Sequence, residues 1–350
     1  NPEPVSYEEL ARVHTAEYLE ALHDPQTLAS VFAVDPTDIY VDELLRTLRL
    51  GVGGTVEAAR HALNRKHSVM NLFGGFHHAA PSRGAGFCAL NDVAVAVAAV
   101  RNDGFDGRIA VLDFDFHPPD GTAACLGKDA SVWLGSISGA DWGPLPGVDE
   151  TLLPDGTEDT EYLAAVEALL GRMPDVELAF VLAGADVLTG DRLGLFKLSL
   201  SGTRQRELLV SRRLGSLPQV WLPAGGYSSH AWKVLAGVGL TLAFDTEDPI
   251  PTDYDPLAGR MIGISRTLKT EALGSEGFMS EADLADALGM QRRGPQKLLG
   301  FYTAEGLEYA LERYRVLPIL RRLGFQNLRC VFDRVSPYER ARCVGVDAIT

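Results

Sequence analysis

Two carboxylates and an imidazole stand at alternate positions in Asp113-Phe114-Asp115-Phe116-His117. On an extended chain alternate side chains share a face. The segment therefore gathers oxygen and nitrogen donors on one side and puts both phenylalanines on the other. A carboxylate and an imidazole two residues apart at a strand end make half of a metal site or, without an ion, a hydrogen-bonded cap. Asp186, after Gly184-Ala185, offers a third ligand if its strand lies beside the first; taken alone it reads as a turn or cap residue. Two carboxylates and one histidine leave coordination positions open for water and substrate, which is a catalytic rather than a closed structural pattern. Zn2+ is the default for such a set, and Fe2+ and Mn2+ suit it too.

His77-His78 follows Gly74-Gly75-Phe76. Neighbouring residues on a regular strand face opposite ways, so the glycines predict an irregular loop that turns both rings inward; the plain alternative is one buried and one exposed histidine. Imidazole titrates near neutrality and suits general acid–base work. Such rings need carboxylate partners to fix their tautomers, and Asp113 and Asp120 are available. Tyr227, after Gly225-Gly226, reads alone as a core tyrosine; at a strand end its hydroxyl could donate to a developing oxyanion, with the glycines giving it room to swing.

These motifs need a scaffold that brings them together. Five apolar runs (Val69 to Phe73, Ile109 to Leu112, Val132 to Gly135, Leu178 to Ala183, Val220 to Pro223) mostly lack polar alternation, as strands covered on both faces do. Helix-like stretches lie between them: Val41 to Lys66, a long one with Gly51-Val52-Gly53-Gly54 as a candidate break, then Asp92 to Arg101, Glu158 to Arg172, Gly202 to Leu214 and His230 to Phe244. Alternating strands and helices predict a three-layer αβα fold around a largely parallel sheet. Each run ends in one of the polar or glycine-rich motifs, Ser136-Ile137-Ser138 among them, and the carboxyl ends of parallel strands line one edge where ligands collect. The texture changes after about Ile250. Pro249 to Asp255 reads as a loop, Ser280-Glu281-Ala282-Asp283 as a helix start, Glu305 to Leu323 as helix and Leu328 to Phe332 as strand. Residues 1–270 are taken as a catalytic domain and 271–350 as a small α/β extension.

Composition narrows the partners. A net charge of −15 over 350 residues lacks the basic footprint of a nucleic-acid binder and favours cationic partners such as polyamines or lysine-rich tails. No apolar run is long enough to span a membrane. The start, Asn1-Pro2-Glu3-Pro4, has no signal-peptide layout. Cys88, Cys125, Cys330 and Cys343 form no CxxC pair, so free thiols in a reducing cytoplasm are expected.

In order along the chain, Val13 to Leu19, Gly74 to Ala79, Gly86-Phe87-Cys88-Ala89-Leu90-Asn91-Asp92-Val93-Ala94, Asp113 through Thr122, Gly184-Ala185-Asp186 with Gly190-Asp191-Arg192-Leu193-Gly194, and Gly225-Gly226-Tyr227 resemble the zinc-dependent histone deacetylase family, which includes acetylpolyamine amidohydrolases and acetoin-utilization proteins. The resemblance covers roughly the first two thirds of the chain. It implies an arginase-like αβα fold and hydrolysis of an acyl-amine amide. Zinc would sit on Asp115, His117 and Asp186. His78 would be the general base beside His77, Asp120 and Asp113 their carboxylates, and Tyr227 the carbonyl-polarising group. A potassium or sodium ion would sit against Asp113, Asp115, His117, Ser136 and Ile137. Gly86 and Phe87 would line one wall of an acyl-lysine tunnel.

The chain also departs from the family. Pro118-Pro119 stand where the family has His-Gly, which predicts an altered loop with Asp120 still in register. Leu145, before Pro146-Gly147, stands at a usually aromatic wall position and suggests room for bulkier acyl chains. The expected partner is an acylated lysine peptide or protein, or an acylated polyamine, and self-association is compatible with this. Two further readings stand beside it. A two-metal ureohydrolase on the same fold would need more bridging aspartates, and the His77-His78 pair with Tyr227 argues against it; an inactive acyl-lysine reader or scaffold would keep the pocket without turnover.

Overall fold

The computed structural model describes residues 2–244, 328–333 and 342–348. The chain divides into two units, Asn1–Pro249 and Ile250–Thr350. In the first, helices α1 to α9 are Tyr7–Leu10, Ala16–Ala21, Pro25–Phe32, Val41–Arg65, Asp92–Asn102, Asp120–Leu126, Asp159–Arg172, Leu200–Leu214 and Ala231–Phe244. Strands β1 to β6 are Ser68–Met70, Ile109–Asp113, Val132–Ser138, Val148–Leu152, Leu178–Leu182 and Gln219–Leu222. They form one six-stranded sheet in the order β1-β6-β5-β2-β3-β4, parallel throughout. In the second unit β7 (Leu328–Asp333) pairs antiparallel with β8 (Arg342–Ala348). The expected boundary at 270/271, the loop after Pro249 and the helices at Ser280 and Glu305 lie outside the described residues.

The apolar runs are strands because both of their faces are covered. Ile109 and Val111 of β2, Leu178, Phe180 and Leu182 of β5, and Val220 and Leu222 of β6 enter one core with residues of α4 and α5. The alternate residues Ala110, Leu112, Ala179, Val181 and Trp221 enter a second core with Tyr162, Val166 and Leu169 of α7 and Val210 and Leu214 of α8. Period-two alternation thus feeds two cores rather than a core and solvent, which makes the three layers. Each fully buried Val, Leu, Ile or Phe contributes about 1.5–3 kcal/mol by removal from water.

Three sequence expectations are corrected. The helix at Val41 does not break at its glycines: α4 runs unbroken to Arg65. Leu45, Leu48, Val52, Val56, Ala59 and Ala62 form its buried stripe. Gly53 is there for close packing, since a Cβ would lie 2.0 Å from the Glu3 carbonyl oxygen. The run Val69 to Phe73 stops being strand at Met70, because the Asn71 side chain turns the backbone by donating to Gly51 O and Phe73 O, both at 3.0 Å. A sixth strand, β4, was not expected. Val148-Asp149-Glu150-Thr151-Leu152 reads as polar because it is an edge strand, bonded only to β3 and half exposed. Among the described residues no helix is long and apolar enough to cross a membrane.

Candidate active site

The loop after β1 is shaped by a residue on another element. Asp92, fully buried in the first turn of α5, accepts from the amides of Gly75 (3.0 Å) and Phe76 (2.7 Å) and from the Thr55 hydroxyl (2.7 Å). Backbone held this way cannot continue as a strand. His77 and His78 both turn inward, 3% and 7% exposed, with ring centroids 4.0 Å apart. Each Nδ1 meets its own carboxylate: His77 donates to Asp113 at 2.9 Å and His78 to Asp120 at 2.7 Å. Arg83 binds the other oxygen of Asp120 at 3.2 Å. Pro118-Pro119 leave Asp120 at the start of α6, where it reaches His78.

Asp115 and His117, just beyond β2, face Asp186, just beyond β5. The His117 Nδ1 lies 3.1 Å from an oxygen of each aspartate. One donor atom from each of the three falls within 4.8 Å of the others. Backbone amides fix the two acids, Gly225 N–H donating to Asp115 at 2.7 Å and Phe116 N–H to Asp186 at 3.1 Å. Only glycine fits at 225, where a Cβ would lie 2.5 Å from Asp115 Oδ2. Of the residues expected at the monovalent-cation position, Asp113 is in register with Ser136 across β2 and β3, and Ser136 and Ile137 are fully buried.

Tyr227 follows β6 with its ring 5.8 Å from that of Phe87. Gly86 and Phe87 both adopt left-handed backbone, φ +51° and +64°, an uncommon conformation for phenylalanine, whose ring here is exposed beside Tyr227. Leu145 is half-buried on the loop between β3 and β4. On the same loop Trp142 comes close to the site, its ring 5.3 Å from His78 and 6.1 Å from His117. Sequence reasoning did not name Trp142; the available signal was a lone aromatic among glycines and prolines. Nor did it give a role to Asp191, whose carboxylate accepts from the amide of Tyr227, or to Arg206. Arg206 lies buried on α8 and donates to Gly184 O at 2.8 Å and Phe114 O at 3.4 Å, beneath the strand ends that carry the two acids.

Electrostatics separates the two imidazoles. Burial pulls His77 down, but the charges of Asp113, Asp115 and Asp186 outweigh it and hold it up at about 9. Burial and the adjacent His77 charge push His78 below its usual value. Two titratable neighbours driven apart in this way suit an acid–base pair. Burial raises the Tyr227 phenol, and the charges of Asp115 and Asp186 raise it further, so it stays protonated as a donor. Burial likewise drives Asp186 up, with the negative charge of Asp115 beside it. Two buried acids this close hold a proton between them unless a cation replaces it. With one imidazole alongside, the donor set fits zinc with coordination positions left open.

The family model described as histone deacetylase domain matches residues 1–238. The chain is 32% identical over 244 residues to histone deacetylase 2 of Arabidopsis thaliana, covering 65% of this chain and 63% of that protein. It is 28% identical over 291 residues to histone deacetylase 8 of Xenopus laevis, covering 73% and 87%. The chain thus spans just under two thirds of the Arabidopsis relative. A solved histone deacetylase homologue from Aquifex aeolicus superposes with a TM-score of 0.57 at 25% identity, over 68% of this chain and 72% of that one. The chain belongs to the histone deacetylase family.

Proposed function

We propose that the chain hydrolyses the amide of an acylated amine, either an acyl-lysine side chain or an acylated polyamine, with zinc held by Asp115, His117 and Asp186. One observation carries this reading: a three-donor site, two carboxylate-backed imidazoles and a tyrosine meet at one edge of the sheet. When bound, zinc supplies a Lewis acid that polarises the acyl carbonyl and acidifies water. Asp120 holds the Nδ1–H of His78, which fixes the tautomer with Nε2 free to take a proton from the attacking water. Once charged, His78 is held in place by Asp120 and lies beside His77, ring centroids 4.0 Å apart, from where it can pass the proton on to the leaving amine. The Tyr227 hydroxyl donates to the carbonyl oxygen as it becomes anionic. Phe87 and Trp142 flank the mouth with apolar surface suited to an alkyl chain. Water and amide become a carboxylic acid and an amine, and the net charge of −15 suits a cationic amine product.

The test is a panel of acetyl-, butyryl- and octanoyl-lysine peptides and acetylated polyamines, presented to zinc-loaded protein and to His78→Ala. The expected result is amine release by the wild type and a loss on the order of 10² or more in the variant. Equal release by both proteins would remove His78 from the chemistry. Acylated ligands bound by the wild type without turnover would favour a reader instead.

A further inference from the structure

We propose that Asp191, with Arg192 as its second arm, is the positioning residue for Tyr227. The inference rests on the hydrolase reading above and assigns what aims its tyrosine. The residues before Tyr227 are Gly225 and Gly226, so no side chain there anchors the loop. Gly225 is tied at its amide to Asp115 and at its carbonyl to the amide of Ala185, both at 2.7 Å. At Tyr227 itself the anchoring passes to one dipeptide. The amide donates to Asp191 Oδ2 at 2.7 Å, and the carbonyl accepts from Arg192 Nε at 2.7 Å. The tyrosine hydroxyl makes no hydrogen bond to any described residue; these bonds fix its backbone, and the Phe87 ring lies beside its side chain.

Asp191 is itself fixed. Its amide donates to Leu188 O at 3.0 Å, and its Oδ1 accepts from Leu193 (2.9 Å) and Gly194 (3.1 Å). The loop it shapes begins at Asp186, one of the three candidate metal ligands. The clip therefore fixes the distance between that loop and the tyrosine, the quantity a donor to a developing oxyanion depends on. A displacement of about 1 Å at such a donor costs up to ~100-fold in rate.

Asp191→Asn separates the clip from the turn. The amide oxygen can still accept from Leu193 and Gly194, while its NH2 faces the Tyr227 amide and cannot accept from it. The measurements are kcat and KM on an acetyl-lysine peptide, zinc affinity, and the 19F signal of Tyr227 in 3-fluorotyrosine-labelled protein, identified as the one missing from Tyr227→Phe. The expected outcome is kcat down ~10-fold or more with KM and zinc affinity held, a shifted Tyr227 signal, and no further loss when Asp191→Asn is added to Tyr227→Phe, because the two act through one hydroxyl. Wild-type kcat in Asp191→Asn, an equal loss with and without the tyrosine hydroxyl, or zinc lost together with activity would overturn the clip. If the wild type releases no amine, the hydrolase reading fails on its own; an unchanged 19F signal in Asp191→Asn then overturns the clip, and a shifted one supports it.

Discussion

At the scale of residues, Tyr227 isolates one contribution cleanly. Removing its hydroxyl in Tyr227→Phe leaves Asp115, His117 and Asp186 untouched, so zinc content stays at the wild-type level. Turnover falls on the order of 10², the usual loss for one oxyanion donor; paired zinc analysis and kinetics read both, and undiminished turnover would mean that the carbonyl is held by something else. His14 makes a structural prediction. Its ring is buried, with Nδ1 facing Ala80 O at 3.1 Å and Nε2 accepting the Asn91 amide at 3.0 Å, an arrangement that requires the neutral form. Burial lowers its pKa accordingly. The unfolded histidine takes up a proton near pH 6.5, and the folded one only at lower pH. Below that pH the unfolded state binds more protons and stability falls as pH drops, while above it the contribution is constant. Denaturant midpoints between pH 7.5 and 5 should fall more steeply for the wild type than for His14→Gln, and parallel slopes would show His14 taking no part. Of the candidate site residues, Asp113, Asp115 and His117 were marked by alternation, whereas the roles proposed for Asp186, His77, His78 and Tyr227 came from the family resemblance. Asp92, Asp191 and Trp142 were not legible, because their roles depend on partners 16 or more residues away, as with Asp92 to Phe76, Asp191 to Tyr227 and Trp142 to His78.

Among the elements, the pair on α8 matters most to the site. Arg206 and Glu207 are adjacent, both fully buried, and joined at 2.7 Å. The same guanidinium ties the carbonyls of Phe114 and Gly184, next to the strand ends that present Asp115 and Asp186. Removing one partner of a buried ion pair leaves an uncompensated charge and costs about 3–5 kcal/mol. Arg206→Met should therefore lose that much in urea unfolding, and Arg206→Met with Glu207→Leu should recover a good part of it. A single variant as stable as the wild type would mean that the guanidinium is not holding the strand ends. The buried strands β2, β5 and β6 were readable as apolar runs, whereas the edge strand β4 was not, since half its surface faces solvent and its sequence carries charges. The glycines of α4 read as a break because propensity disfavours them, yet they are where the backbone near Glu3 and the ring of Phe73 press against the helix.

For the molecule as a whole, a sheet of six parallel strands sends its carboxyl ends to one edge, and every candidate catalytic and metal-binding residue lies within unit Asn1–Pro249. That organisation was legible because strands and helices alternate and each run ends in a chemically distinctive motif. The central claim is that this edge becomes a hydrolase when it holds one zinc ion. The most direct measurement is amine release from an acetyl-lysine peptide as zinc is titrated into metal-stripped protein, wild type beside Asp186→Ala. The account expects release to rise to a plateau at one equivalent of zinc in the wild type and to stay at background in the variant. Wild-type protein that takes up one zinc and leaves every acylated lysine and polyamine intact would contradict it.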